Sequence, residues 1–143
     1  SWLMLRSIKT LGVRLERQEK NAMKIANWLK ENRKIEKVYY VGLPEHEGYE
    51  ISKKQSSGFG AMISFSVRDE KDASSILEKV KIISYAESLG GVESLITYPI
   101  LQTHAAIPKE IRERLGVNER LLRLSVGIED ADDLIDDLDQ AIG

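Results

Sequence analysis

The chain has 143 residues, a net charge of −2 and no cysteine. That length fits one domain with its own core, and the missing thiols exclude a disulfide framework, a thiolate zinc site, an iron–sulfur cluster and a cysteine nucleophile. The small net charge and the lack of any apolar run near the roughly 20 residues a bilayer requires argue against a nucleic-acid or membrane partner, and leave the cytoplasm as the default location.

Apolar residues at Leu3, Met4, Ile8, Leu11, Leu15, Ala22, Ile25, Ala26 and Leu29 recur three or four apart, which predicts one long helix over residues 2–31. Only Gly12 weakens it, and Asn32 is its expected stop. A short strand is expected at Val38–Val41, then a turn at Gly42-Leu43-Pro44 and a helical turn at Tyr49–Gln55. Phe59, Ala61, Ile63, Phe65 and Val67 alternate and predict a strand. Asp69 is placed to cap a helix running through Val80, with Ala73, Ile76, Leu77 and Val80 inward. Ile82–Ala86 reads as a third strand, followed by a loop at Gly90-Gly91. Residues 92–107 show no period and carry no assignment. Pro108 opens a short helix that ends near Gly116, and Leu121–Val126 reads as a fourth strand. Asp130 caps a last helix whose apolar face is Ala131, Leu134, Ile135, Leu138, Ala141 and Ile142. This order predicts a two-layer α/β (α+β) architecture, a small and mostly antiparallel sheet with helices on one face.

Several motifs fail on their own chemistry. Gly58-Phe59-Gly60 opens like a dinucleotide fingerprint, but Ile63 stands where the third glycine belongs and a strand follows instead of a helix. Asp130-Ala131-Asp132-Asp133-Leu134 starts like a calcium loop, yet Leu134 and Ile135 occupy the ligand and glycine positions. His46 and His104 are too few for a histidine metal site without help; His46 among Glu45, Glu47 and Glu50 offers at most a weak surface site, a structural role is the expectation for both, and no metal is assigned. Residues 1–37 hold ten Lys+Arg against four acids, whereas residues 129–143 hold seven acids and no base. Without interleaved aromatics this asymmetry reads as two solvated helix faces that attract one another.

Two features carry more. Arg123 falls mid-strand between Leu122 and Leu124, where a half-buried guanidinium requires an anionic partner. That partner is either a ligand carboxylate, matched by the guanidinium fork, or an internal acid: Glu87, Glu93 or Glu129. The segment Ala86–Leu95 places Ser88 before two glycines, which allow either a close backbone approach to a ligand or a plain strand exit.

Ala86–Leu95, Thr103-His104-Ala105 and Leu122-Arg123-Leu124-Ser125-Val126-Gly127-Ile128-Glu129 together resemble the C-terminal domain of the Cys/Met-metabolism pyridoxal-phosphate enzymes. That family includes cystathionine γ-synthase, cystathionine β-lyase, cystathionine γ-lyase and methionine γ-lyase. Leu5–Leu11, Val41–Pro44 with His46, Gln55–Gly60 and the closing Glu129–Ala141 match its pattern as well, so the likeness covers essentially the whole chain. Gly90, Gly91 and Ser94 look closer to the cystathionine enzymes than to methionine γ-lyase.

The resemblance implies the C-terminal domain of a fold-type I enzyme, with residues 1–33 as a linking helix and residues 34–143 as sheet and helices. It implies that Arg123 grips the substrate α-carboxylate, that Ser88 and Leu89 lie beside substrate and cofactor, that Glu87 bears on reaction preference and that Thr103 sits near the carboxylate. It places the Schiff-base lysine and the other pyridoxal-phosphate ligands in a large domain that this chain lacks. No catalytic residue is therefore assigned here, and the segment alone is expected to be inactive. The implied parent is a homotetrameric transsulfuration enzyme that makes or cleaves cystathionine, with an amino acid as substrate and the large domain as this segment's partner. The alternative is a stand-alone amino-acid-binding or dimerisation module without catalysis.

Overall fold

A computed structural model describes the backbone of residues 1–143 and every side chain except that of Lys109. Its elements run α1 (Trp2–Ile8), α2 (Leu11–Glu31), β1 (Ile35–Tyr39), α3 (Tyr49–Gln55), β2 (Met62–Val67), α4 (Glu70–Lys79), β3 (Ser84–Tyr85), β4 (Leu95–Thr97), α5 (Lys109–Arg114), β5 (Leu121–Ser125) and α6 (Ala131–Ile142). The strands form one sheet in the order β1-β2-β5-β4-β3, antiparallel except for the β3–β4 pair. The expected two-layer fold is therefore present. Among the described residues no helix is long and apolar enough to cross a membrane.

Alternation sorts the sheet into two faces. Ile63 pairs with Leu124, Phe65 with Leu122 and Ile96 with Leu124, and all are fully buried. Against this face pack Ala22, Ile25, Ala26 and Leu29 of α2, Ala73 and Ile76 of α4, and Leu134 and Leu138 of α6. Each large aliphatic or aromatic side chain so buried contributes roughly 1.5–3 kcal/mol by removal from water. The opposite face presents Ser64, Ser66, Thr97, Arg123 and Ser125. Asp69 and Asp130 cap α4 and α6 as expected, accepting from the N–H groups of Lys71 and Asp132.

The long first helix is broken. Thr10 leaves the helical region at φ −106° and ψ 6°, and its hydroxyl donates to Ser7 O at 3.3 Å, as does the Arg14 guanidinium at 3.0 Å. That carbonyl is satisfied without the helix continuing, and α1 buries no side chain that would hold it in line with α2. Strand β1 starts three residues earlier than expected. β2 starts later, because Gly60 takes φ +71° and Phe59 turns out to stack on Tyr49 at 5.2 Å. The third strand shrinks to two residues, and the unassigned stretch contains β4, three residues too short to show a period.

The parallel β3–β4 pair is joined in an unusual way. Neighbouring parallel strands need a connection that returns along the sheet, usually a dozen or more residues with a helix. Here residues 86–94 make the return without one, tethered to side chains of the polar face.

Candidate functional site

Arg123 lies on the polar face of β5 with Ser64 and Thr97 as its cross-strand neighbours. Its terminal nitrogen donates to Thr97 Oγ1 at 3.3 Å, while its Nε is buried and has no hydrogen-bond partner. No carboxylate of the described residues forms an ion pair with it. Glu129, one of the three internal candidates, accepts instead from Ser94 N–H at 2.6 Å and Ser94 Oγ–H at 2.9 Å. A partly desolvated guanidinium left with an open N–H is unfavourable unless an anion arrives, and its parallel donors suit a carboxylate.

The loop 86–94 frames this cation. Thr97 Oγ1, which accepts from Arg123, donates in turn to Ala86 O at 3.1 Å. Gly90 takes φ +75°, a region that a side chain disfavours, and its N–H donates to Ser125 Oγ at 2.9 Å. Ser125 stands two residues beyond Arg123 on the same face. Glu87, Ser88 and Leu89 thus span the gap between two anchors on Arg123's face. All three are exposed, and the Ser88 hydroxyl makes no hydrogen bond among the described residues.

Thr103 sits elsewhere in the chain of contacts. Its hydroxyl lies 3.4 Å from Pro99 O and 2.7 Å from His104 Nδ1, within its own turn, and no hydrogen bond ties it to Arg123. His46 Nδ1 accepts from Gly48 N–H at 3.0 Å and closes a turn. Among the described residues no cluster of His, Asp and Glu could hold a metal.

The structure adds residues that the sequence pattern did not single out. Thr97 and Ser125 are buried on the polar face and hold the loop ends. Behind the loop, Gln18 of α2 donates to Gly91 O at 2.5 Å, and Asn21 donates to Gly127 O at 3.1 Å and Glu129 O at 2.8 Å. Gly127 leaves no room for a side chain, since a Cβ there would strike the Val92 carbonyl oxygen and the Glu93 backbone. Gln18 and Asn21 fall in phase with Ala22, Ile25 and Leu29, so polar residues inside an apolar stripe were the available signal.

The donors on this face are a guanidinium and hydroxyls, which suit a carboxylate. Lys37, the lysine on the same sheet face, is exposed and lies over the Tyr39 ring at 4.9 Å. No described lysine is held in a buried site where its amine could condense with an aldehyde. The residues present fit a carboxylate and do not by themselves fit pyridoxal phosphate.

A family model described as Cys/Met metabolism PLP-dependent enzyme matches residues 1–143. The chain is 51% identical over 142 residues to a cystathionine beta-lyase of Lactococcus lactis subsp. cremoris, covering 99% of this chain and 37% of that protein. It is 49% identical over 142 residues to a cystathionine gamma-lyase of Bacillus subtilis (strain 168), covering 99% and 38%. The crystal structure of cystathionine gamma synthase from Xanthomonas oryzae pv. oryzae in complex with cystathionine superposes with a TM-score of 0.93 at 42% identity, over 98% of this chain and 36% of that one. The chain thus spans a little over a third of the length of the relatives it matches, and shares the fold of the matching part of these enzymes.

Proposed function

Because the chain belongs to the Cys/Met-metabolism PLP-dependent enzymes, we propose that it is the C-terminal, substrate-recognising part of an enzyme that makes or cleaves cystathionine. The cofactor, its Schiff-base lysine and the electron sink that pyridoxal phosphate supplies at the substrate Cα belong to a large domain outside this chain. What this chain contributes is recognition. Arg123 binds the α-carboxylate, and Glu87, Ser88 and Leu89 form the loop beside it. Thr103, in the turn that follows β4, keeps its hydrogen bonds within that turn and is given no part in the carboxylate contact. The parent is a cytoplasmic homotetramer, and the large domain covers the apolar face of α1.

One observation carries the reading: a partly buried arginine in mid-strand keeps an open Nε–H and no acid of its own, framed by a loop anchored on both sides. The names of the relatives supply the substrate class.

The test is Arg123→Lys in the enzyme that carries this segment. Lysine retains the charge but cannot form two parallel hydrogen bonds. Losing a charge-assisted hydrogen bond costs about 1.5–3 kcal/mol. That corresponds to a rise in KM of roughly 10- to 150-fold. A steady-state assay with the sulfur amino acid reads it, and unchanged kinetics would remove Arg123 from the site.

A further inference from the structure

We infer that Gln18 and Ser125 are positioning residues that clamp the Gly90–Gly91 pair from opposite sides and so hold Glu87–Leu89 over Arg123. This role rests on the proposed carboxylate site at Arg123.

The loop has little to fix it from within. Glu87, Ser88, Leu89 and Gly90 are all exposed, and Leu89 is 57% exposed. No side chain of the three residues before Gly90 makes a hydrogen bond among the described residues. Their position is therefore inherited from the ends. At the far end, Gly90 N–H is held by Ser125 Oγ, and Ser125 is itself only 2% exposed. The next residue, Gly91, is held through its carbonyl by Gln18, which is 3% exposed. A buried amide costs free energy unless it is hydrogen-bonded, so the loop carbonyl and the Gln18 side chain satisfy each other.

The clamp has a rigid backing. Asn21, three residues along α2 and therefore on the same helix face, holds the carbonyls of Gly127 and Glu129. Ser94 links the two segments, accepting from Gly127 N–H at 2.9 Å while donating to Glu129. One face of α2 thus fixes both the loop and the end of β5 relative to each other. Arg123 lies on β5 and the loop crosses its face, so their separation depends on this pair of amides. A loop freed from the clamp would occupy its binding-competent position only part of the time, and apparent affinity falls in proportion to that fraction.

The experiment uses the enzyme carrying this segment, with Gln18→Met and Ser125→Ala made separately and Arg123→Lys as a control. Hydrogen exchange is followed by mass spectrometry on the peptide spanning residues 87–91, alongside kcat and KM. For each clamp variant the expected result is about tenfold faster exchange in that peptide, with α2 and α6 unchanged. KM for the amino acid rises several-fold and kcat stays within about twofold. Arg123→Lys should raise KM without altering loop exchange. If Arg123→Lys raises KM while both clamp variants leave loop exchange and KM as they were, the clamp is wrong. Faster exchange throughout the chain would reassign both residues to general stability and also overturn it. If Arg123→Lys leaves KM unchanged, the carboxylate reading fails, and the loop-exchange data still decide the clamp. Ser125→Ala removes a single oxygen and carries the test should Gln18→Met fold poorly.

Discussion

Tyr98 and Tyr40 each donate a buried phenol to a main-chain carbonyl, Glu119 O at 2.7 Å and Gly60 O at 2.8 Å. Burial holds both phenols neutral beyond the usual tyrosine range, reinforced at Tyr40 by the Glu19 charge and at Tyr98 first by Glu119. Unfolded phenols ionise near pH ~10 while the folded ones resist, so the unfolded state sheds protons first and stability falls as pH rises above that point. Urea midpoints should drop between about pH 9 and pH 11, and Tyr98→Phe should flatten part of the drop. A midpoint equally steep in the variant would show that other groups cause it. At this scale the sequence disclosed Arg123 itself, because alternation across Leu122 and Leu124 set its face. It left open whether an internal acid pairs with it. Glu87, Glu93 and Glu129 lie in loops, where no period fixes a direction, and only the folded backbone reveals that Glu129 is taken by Ser94.

Among the elements, α6 does more than close the core. Asp137, 4% exposed, accepts from the N–H groups of Lys81 at 2.8 Å, Ile82 at 2.9 Å and Ile83 at 2.9 Å. Those donors are thereby withheld from the sheet, which is why the expected strand at Ile82–Ala86 shortens to two residues. Asp137→Ala would leave three main-chain donors without a partner, at a cost of about 2–5 kcal/mol. Asp137→Asn, which keeps one acceptor oxygen, should lose less, and chemical denaturation of the two variants gives the order. Equal losses would mean that packing and not the hydrogen bonds sets the effect. Asp137 is in phase with Leu134, Leu138 and Ala141, but it sits among seven acids, where a helix-dipole reading hides it. Long amphipathic elements such as α2, α4 and α6 were legible because their period is sampled over several turns. The break at Thr10 and strand β4 were not, since each depends on one or two local hydrogen bonds or on three residues.

For the molecule as a whole, the basic front and acidic end meet. Lys24 pairs with Asp132 at 2.6 Å and Arg17 with Asp130 at 3.7 Å, both on exposed surface. Such pairs contribute well under about 1 kcal/mol each, so they orient α2 against α6 more than they stabilise it. The apolar residues of α1 are a larger matter. Trp2, Leu3, Met4, Leu5 and Ile8 are all more than 60% exposed, a patch that favours association. The isolated segment should show a weight-average mass that rises with concentration in sedimentation equilibrium. The double substitution Leu5→Glu, Ile8→Glu should return it to a monomer. A concentration-independent monomer in the unmodified segment would contradict this.

The strand order sets a timetable for synthesis. β5 is the second-last element in the sequence but the central strand of the sheet, lying between β2 and β4. A nascent chain that has reached residue 120 holds two strand pairs, β1–β2 and β3–β4, with no strand to join them. The ribosome must therefore release nearly the whole segment before the sheet can form, and until then the exposed edges of β2 and β4 are where a chaperone would have to act.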